Sequence, residues 1–599
     1  MDLLQPGPSD KIFRCRWVRN KVPMAHREEL YQILRMTGPL LLARILHYLL
    51  PFVVTMFCGR LGNDVMAGYG LASATLNVTS AATGFGLALA CDTLVSQTFG
   101  GRNLLRVGVI LQRGILILLL FCLPCWGLLI NAQAILLCLG QDPVVARIAQ
   151  LYITAYLPAV PAMYLHHLQV SYLQNQGIIM PQMYAAALAN IANVATNYIF
   201  IYCLDLGVVG SAAANTLSQV YICVFLFGYI WWKKLHATTW GGWSVESLQE
   251  WGSYMKLAIP STLMTCFEWW VYEFGGFFAG MLSEEELAAQ HAVIMVAFLT
   301  YMFPLGIQAA ACARVGNALG AGDTARAILS SKLSLTLAGC FAIVEGLVLG
   351  STKSVIGFIF TSDERIVGLV SHLMNAYCFL QFFDGLCVCT GIFLGTGKQK
   401  IPAVAHLIGY YCIGLPLCVT LMFVAKLRIL GFWLGLLICV ILQSTFYIVV
   451  IFKLNWEKMT EESLICLSST LVDSQCAFDS RAFCMYKSTH ECTTFNSEAK
   501  NTHLNSVEGY VPVTTENNDG KLEVSDRRAV PQERRGRLSS SQLILRRGIT
   551  VFAALGLLGV GIIVHFLVPL PETQFTKANT TEGWINTTYA PSQYFSTVQ

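Results

Sequence analysis

Glu268 and Glu273 fall in the stretch TCFEWWVYEFGGFFAG, Thr265–Gly280, which holds no lysine or arginine. Asp384 falls in a similar setting, FLQFFDGLCVCTG, with Gln381 one helical turn before it. An ionised side chain at the centre of a bilayer costs roughly 3 kcal/mol or more, so acids placed there usually face a cavity and carry function. If a helix begins near Leu257, Glu268 lies about 16 Å in and Glu273 about 8 Å further, at roughly 1.5 Å per residue. At about 100° per residue the two point about 140° apart, so they do not chelate one ion together. Glu268 shares a face with Tyr272, and Trp269 shares one with Glu273. An acid beside aromatic faces suits an organic cation, which gains charge pairing and a cation–π attraction of up to about 2 kcal/mol when desolvated.

The chemistry of such a site is exchange. Burial disfavours the ionised form of a carboxylate. An empty, charged site is therefore unfavourable, and either a proton or a cation relieves it. If the protein changes access readily only when neutralised, entry of protons and exit of cations become coupled. No Walker-type GxxxxGK[ST] sequence occurs, so a proton gradient rather than ATP is the expected driving force, with no cofactor and no enzymatic reaction.

The elements that must hold these acids are spanning helices. The chain has 599 residues, of which 55% are hydrophobic and 12% charged, with a mean hydropathy of +0.57. That charged fraction is about half the value usual for soluble domains. The net charge of +4 gives no reason to expect a nucleic-acid partner. Apolar windows centre on 33–57, 67–89, 107–131, 145–170, 182–203 and 208–232, and again on 257–281, 287–311, 327–350, 366–394, 401–424 and 429–452, with a thirteenth at 549–569. Each is long enough to cross a membrane. The cysteines lie mostly in apolar segments, and Cys122 and Cys125 read as packing residues rather than as a metal or redox pair.

Arg102, Arg106, Lys233, Lys234, Arg314, Arg326, Lys398 and Lys400 fall in the even-numbered loops. By the positive-inside rule these loops and the basic N-terminus face the cytoplasm. Arg546 and Arg547 precede the last span on the same side, so the C-terminus is expected outside the cell, in agreement with sequons at Asn579 and Asn586. The boundaries expected are an N-terminal segment 1–32, a six-helix lobe 33–232, an inter-lobe loop 233–256, a second six-helix lobe 257–453, a disordered polar linker 454–547, a last helix 548–570 and a tail 571–599.

The two lobes are copies. Pro39 matches Pro260, Gly59 matches Gly280, Asp142 matches Asp363, Pro181 matches Pro402 and Gly210 matches Gly431, always 221 residues apart. An even number of spans per copy gives two parallel six-helix bundles about an axis along the membrane normal, an all-α arrangement suited to alternating access. The same offset carries Glu268 to His47, Glu273 to Phe52 and Asp384 to Met163. The acids are thus expected only in the second lobe, with His47 able to titrate near neutrality and Arg44 one turn before it.

The stretches FCGRLG, GFGLALACDTLVSQTFG, VGVILQRG, NQGIIMPQ, TWGGWS, LAIPSTLMTCFEWWVYE, RVGNALGAGD and GTGKQK make the chain similar to the mammalian-type multidrug and toxin extrusion (MATE) family, over roughly 30–455 and again in the last helix. The resemblance implies proton-coupled export of organic cations at the plasma membrane. It places the family's paired glutamates on Glu268 and Glu273 and its later acid on Asp384. It puts a family cysteine on Cys58 and a polar asparagine on Asn77, for which packing and transport roles stand equally open. Met295 occupies the position at which animal relatives often carry a further glutamate, so the chain is expected to be a divergent paralogue. A lipid-precursor flippase would favour a basic cavity, and a receptor or channel has no need of the duplication. Oligomeric state, substrates and proton stoichiometry stay open.

Overall fold

The computed structural model describes residues 22–361, 363–386, 388–465 and 539–568. All regular structure among them is helical. The long helices are α1 (Met24–Leu61), α2 (Asp64–Gly100), α3 (Leu104–Leu129), α4 (a pair, Pro143–Tyr156 and Ala159–Gln174), α5 (Met180–Cys203) and α6 (Gly207–Trp232), then α7 (Trp251–Leu282). They continue with α8 (Glu285–Gly320), α9 (Thr324–Thr352), α10 (Glu364–Thr396), α11 (Lys400–Val424), α12 (Arg428–Lys453) and α13 (Ser541–Leu567).

Eleven of these helices are each long and apolar enough to span a membrane, and the α4 pair makes twelve if counted as one span. The remaining one is α7. It has the length, 32 residues, but its two glutamates dilute its apolarity. The helix that carries the acids is the one that hydropathy alone would leave out.

Several helices depart from the simple rods expected. The α4 pair bends by 57° at Leu157-Pro158, because proline has no N–H to give the helix ladder and its ring crowds the preceding turn. In α10 the regular helix stops at Gly385, one residue past Asp384, and resumes at Val388. Breaks in a spanning helix are tolerated where the freed backbone lines a cavity or is buried in protein. Wider π-helical turns occupy Asn77–Ala81 in α2, Ile199–Cys203 at the end of α5, and Leu407–Gly414 and Thr420–Val424 in α11. Those at 199–203 and 420–424 occupy equivalent places in the two copies.

Two apolar cores form. One gathers Leu50, Tyr152, Tyr164 and Leu226 of the first copy; the other gathers Val271, Met374, Phe432 and Trp433 of the second. α7 belongs to both. Its start, at Trp251, Tyr254 and Ala258, lies in the first core, and from Val271 onward it lies in the second. α1 crosses in the same way: Ile33, Met36 and Leu40 pack on Ala309, Ala310 and Ala313 of α8, whereas Leu50, Val54 and Cys58 pack in their own copy.

The two copies meet most closely at the end where α1 begins and the basic loops lie, termed here the basic end. Thr93 donates to the Leu394 carbonyl at 2.7 Å, and the Gln97 amide to the Gly395 carbonyl at 3.0 Å. Gly100 lies directly on the backbone of Asn317, and Gly320 lies directly on that of Gln97, where a Cβ would collide with a carbonyl oxygen. Beside this contact, Glu29 of α1 receives Arg314 at 2.8 and 2.5 Å, Arg326 at 3.2 Å and Ser330 at 2.7 Å.

Some expected boundaries move. α1 begins at Met24 rather than near 33, because Glu29 and its neighbours are buried against the other copy. Residues 456–465, expected to be linker, are helical. Met459 is buried there, Thr460 bonds Thr324 at 2.8 Å, and Glu462 meets Lys398 at 2.7 Å. Lys398 and Thr324 are too distant in sequence to betray this to a local reading. The N-terminal basic residues, the rest of the linker, Asn579, Asn586 and the tail lie outside the described residues.

α13 lies along α3. Asn131 donates to the carbonyls of Gly127 and Gly561, at 2.9 and 2.8 Å, and the two glycines face each other with no room for a Cβ on Gly561. Close approach through small residues is a common means of holding helices together in lipid. At its start, the Arg547 guanidinium bonds the Leu248 carbonyl at 2.8 Å and lies 4.2 Å from the Trp251 ring centroid. α13 therefore runs parallel to α3 and ends opposite the end where α1 begins.

Candidate functional site

Glu268 lies near the middle of α7, between the residues packed in the first core and those packed in the second. Its carboxylate accepts a hydrogen bond from the Tyr301 hydroxyl of α8. Asp384 of α10 lies within electrostatic range of it, and Tyr272 and Tyr410 lie within range of both. His406 of α11 also faces Glu268. Its Nδ1 is 2.9 Å from the Met264 carbonyl, which only accepts, so Nδ1 carries the hydrogen. Its ring meets Tyr410 edge-on at 5.2 Å. Among the described residues no lysine or arginine pairs with Glu268 or Asp384. Two carboxyls and three tyrosine hydroxyls thus converge with no fixed counter-charge, a state that a proton or a cation must relieve.

The other expected residues divide. Tyr272 joins the cluster on the Glu268 face. Trp269 does not pair with Glu273: it stacks on Phe85 of α2 at 5.9 Å and 19°. Glu273 is exposed, one and a half turns beyond Glu268 and outside the cluster. Cys58 is buried, with its thiol 3.3 Å from the Ser211 hydroxyl. Asn77 is exposed and opens the π-helical turn of α2. Gln381 is buried, but its partner is not Asp384. It donates to Glu345 of α9 at 2.6 Å.

Glu345 is an acid that the pattern reading passed over, although CFAIVEGLVLG holds it inside the ninth apolar window. Tyr377 stands between it and the main cluster, in electrostatic range of both Glu345 and Asp384, with its hydroxyl 2.5 Å from that of Thr300. A carboxyl–amide–tyrosine series therefore runs from α9 through α10 towards Glu268.

The expectation that intramembrane acids belong only to the second copy fails. Asp92 is buried in α2, beyond the end of the 67–89 window but well inside the helix. It accepts from Asn175 at 2.6 Å. It lines a small cavity with Arg44, His47, His166 and His167, in which the His47 and His166 rings stack at 5.5 Å. The contrast with the second copy is one of charge. Asp92 has Arg44 within electrostatic range, whereas Glu268 and Asp384 have no such partner.

A single family model, MatE, matches the chain twice, at residues 39–199 and 260–420. The chain belongs to the MatE family. Both limits of the second match are displaced by 221 residues from those of the first, the offset read from the paired prolines and glycines. Multidrug and toxin extrusion protein 1 of Danio rerio is 46% identical over 567 residues, covering 94% of this chain and 95% of that protein. Multidrug and toxin extrusion protein 2 of Mus musculus is 49% identical over 440 residues, covering 73% and 77%. Among solved structures, the eukaryotic MATE transporter AtDTX14 superposes with a TM-score of 0.71 at 26% identity, covering 73% of this chain and 99% of that one.

The chain is thus a MATE multidrug and toxin extrusion transporter with many membrane-spanning helices. At the position where the family resemblance led to the expectation of a further acid, this MATE chain makes a contact between its copies: the Tyr48 hydroxyl donates to the Met295 sulfur at 3.2 Å.

Proposed function

We propose that this transporter is an antiporter that exports organic cations in exchange for protons, with the carboxyls of Glu268 and Asp384 as the shared site. One observation carries the reading. These two acids share a buried cluster with tyrosines and a histidine and with no basic partner, whereas the acid of the first copy has its arginine. Protonation neutralises the second-copy cluster when substrate is absent, and a cation neutralises it when substrate is bound. Tyr272, Tyr301 and Tyr410 offer ring faces to that cation. Exposed Glu273 attracts cations towards the cluster from the end opposite the basic loops, and Trp269 closes the path towards α2. Gln381 and Glu345 extend the site towards α9, whereas Cys58, Asn77 and His47 act through packing in the first copy.

In this reading the basic end is cytoplasmic, the C-terminus is extracellular and the membrane is the plasma membrane. The close contacts at the basic end correspond to the state that releases cargo outward. The driving force is the proton gradient alone.

The test is uptake of a labelled organic cation into proteoliposomes under an imposed pH gradient, comparing wild type with Glu268→Gln at equal protein content. Glutamine keeps the hydrogen-bonding shape and removes the titratable charge. Gradient-driven accumulation should fall to background in the variant. Accumulation equal to wild type would remove Glu268 from the mechanism.

A further inference from the structure

A cavity of about 460 Å³ opens at the basic end, across the boundary between the copies. Its walls include Phe99, Arg102 and Leu104 from the turn joining α2 to α3, and Arg314, Ala321 and Arg326 from the corresponding region of α8 and α9. Three guanidinium groups therefore converge on one space, and the carboxylate that serves them is Glu29. That residue is buried and takes Arg314 and Arg326 together. Arg102 is exposed and makes no ion pair among the described residues. Two of the three positive charges remain uncompensated.

The backbone adds a second observation. Arg102 adopts a left-handed conformation, φ 60°, and Gly322 adopts one at φ 78° in the second copy. The two turns, GGRN at 100–103 and GAGD at 320–323, correspond residue by residue. Glycine takes this conformation without steric cost, whereas a residue with a Cβ pays roughly 1–2 kcal/mol. The first copy therefore keeps an arginine where its duplicate has the unstrained residue, and that arginine lines the cavity. Strain of this kind is often stored at functional positions.

We propose that this cavity binds a phosphate monoester, whose oxygens accept hydrogen bonds from Arg102, Arg314 and Arg326. Guanidinium forks match the geometry of phosphate, and charge-assisted bonds of this type are among the strongest available. The apolar wall formed by Phe99, Leu104 and Ala321 suits a ligand with an organic body better than bare phosphate. Basic pockets between helices at the cytoplasmic surface are typical sites for phosphorylated lipid headgroups, and a soluble organic phosphate shares the chemistry. Arg102 comes from the first copy and Arg314 and Arg326 from the second, so the bound anion ties the copies together at the basic end and strengthens the closure that Glu29 already makes. The inference rests on the cavity and its charge, and stands whether or not Glu268 is the transport site.

The experiment uses the full chain in nanodiscs of phosphatidylcholine alone, with a monophosphorylated phosphatidylinositol, or with phosphatidylserine at matched total charge. A fourth arm adds soluble inositol bisphosphate to the phosphatidylcholine discs. The unfolding temperature should rise by about 2–4 °C with the phosphoinositide and stay near its starting value with phosphatidylserine. An equal rise with soluble inositol bisphosphate would support the site and assign a soluble source. Arg102→Gln and, separately, Arg326→Gln should abolish the rise while leaving the unfolding temperature in plain phosphatidylcholine unchanged. Arg102→Lys should restore part of it. Equal rises with phosphatidylserine, no rise with any phosphate, or a full rise in both glutamine variants would each overturn the proposal.

Discussion

A carboxyl in a membrane protein is defined by what stands beside it. Asp92 and Asp384 are both buried aspartates in spanning helices. The first has Arg44 and Asn175 as company; the second has an acid and tyrosines. The first can stay charged in every state of the protein, whereas the second needs a mobile partner. Asp384→Asn should accordingly abolish gradient-driven cation uptake, and Asp384→Glu should retain part of it, measured in proteoliposomes at matched protein. Glu345→Gln keeps a hydrogen-bonding partner for Gln381 and removes one titratable group. It should lower the number of protons exchanged per cation, or shift the pH at which transport is half-maximal, while sparing folding. An unchanged pH profile would confine Glu345 to holding Gln381. Met295→Glu should replace a neutral thioether with a carboxyl opposite Tyr48 and change the relative rates of monovalent and divalent cations, read by competition between labelled substrates.

Helices carry information that single residues do not. The spans, the duplication and the break after the twelfth helix were legible, because apolar length and a constant offset of 221 residues survive any local irregularity. The acids of α7 and α10 were legible for the same reason, since a charge inside an apolar run stands out. What was not legible depended on distant partners. Gln381 looked like a companion of Asp384, one turn away, but bonds Glu345, and no periodicity connects residues 36 positions apart. Asp92 lay past the edge of its hydropathy window, in a part of α2 protected by the other copy rather than by apolar neighbours. The exchange of α7 between two cores, on either side of Glu268, is a property of packing that a hydropathy trace does not contain. α13 shows the same limit. The linker before it suggested a loose appendage, yet it is fixed by Gly561 against Gly127 and by Asn131. Gly561→Leu should therefore lower thermal stability and surface abundance while transport per molecule at the surface persists, as should truncation after residue 465. Loss of transport at normal abundance would make α13 part of the moving machinery.

The whole molecule is held by an asymmetry between its two ends. Among the described residues, hydrogen bonds between the copies run from mid-depth, at Tyr48–Met295 and Trp270–Val78, to the basic end, where Glu29 gathers two arginines and a serine from the other copy. Removing one member of a buried ion pair leaves its partner uncompensated and typically costs about 3 kcal/mol or more, a population change of roughly a hundredfold. Glu29→Gln should therefore shift the protein towards opening at the basic end. Cys312 is buried in the described state close to that contact, and its labelling by a maleimide, followed by mass spectrometry, should accelerate in the variant. Unchanged labelling would mean that the ion pairs decorate a closure made by something else.

What else closes it is main chain. At Gly100 and Gly320 the plug between the copies consists of peptide groups resting on peptide groups, with no rotamer to flip and no proton to gain or lose. Such a stopper behaves alike in acid and in alkali and offers a passing drug no side chain to grip. Acidity outside the cell can then act on transport only through the carboxyls at mid-depth, while the inner door keeps ions from leaking through. Adding a single methyl group at Gly100 or Gly320 would wedge that door ajar. The consequence to look for is electrical: a current of protons, uncoupled from any cargo, in a protein whose carboxyls are all intact.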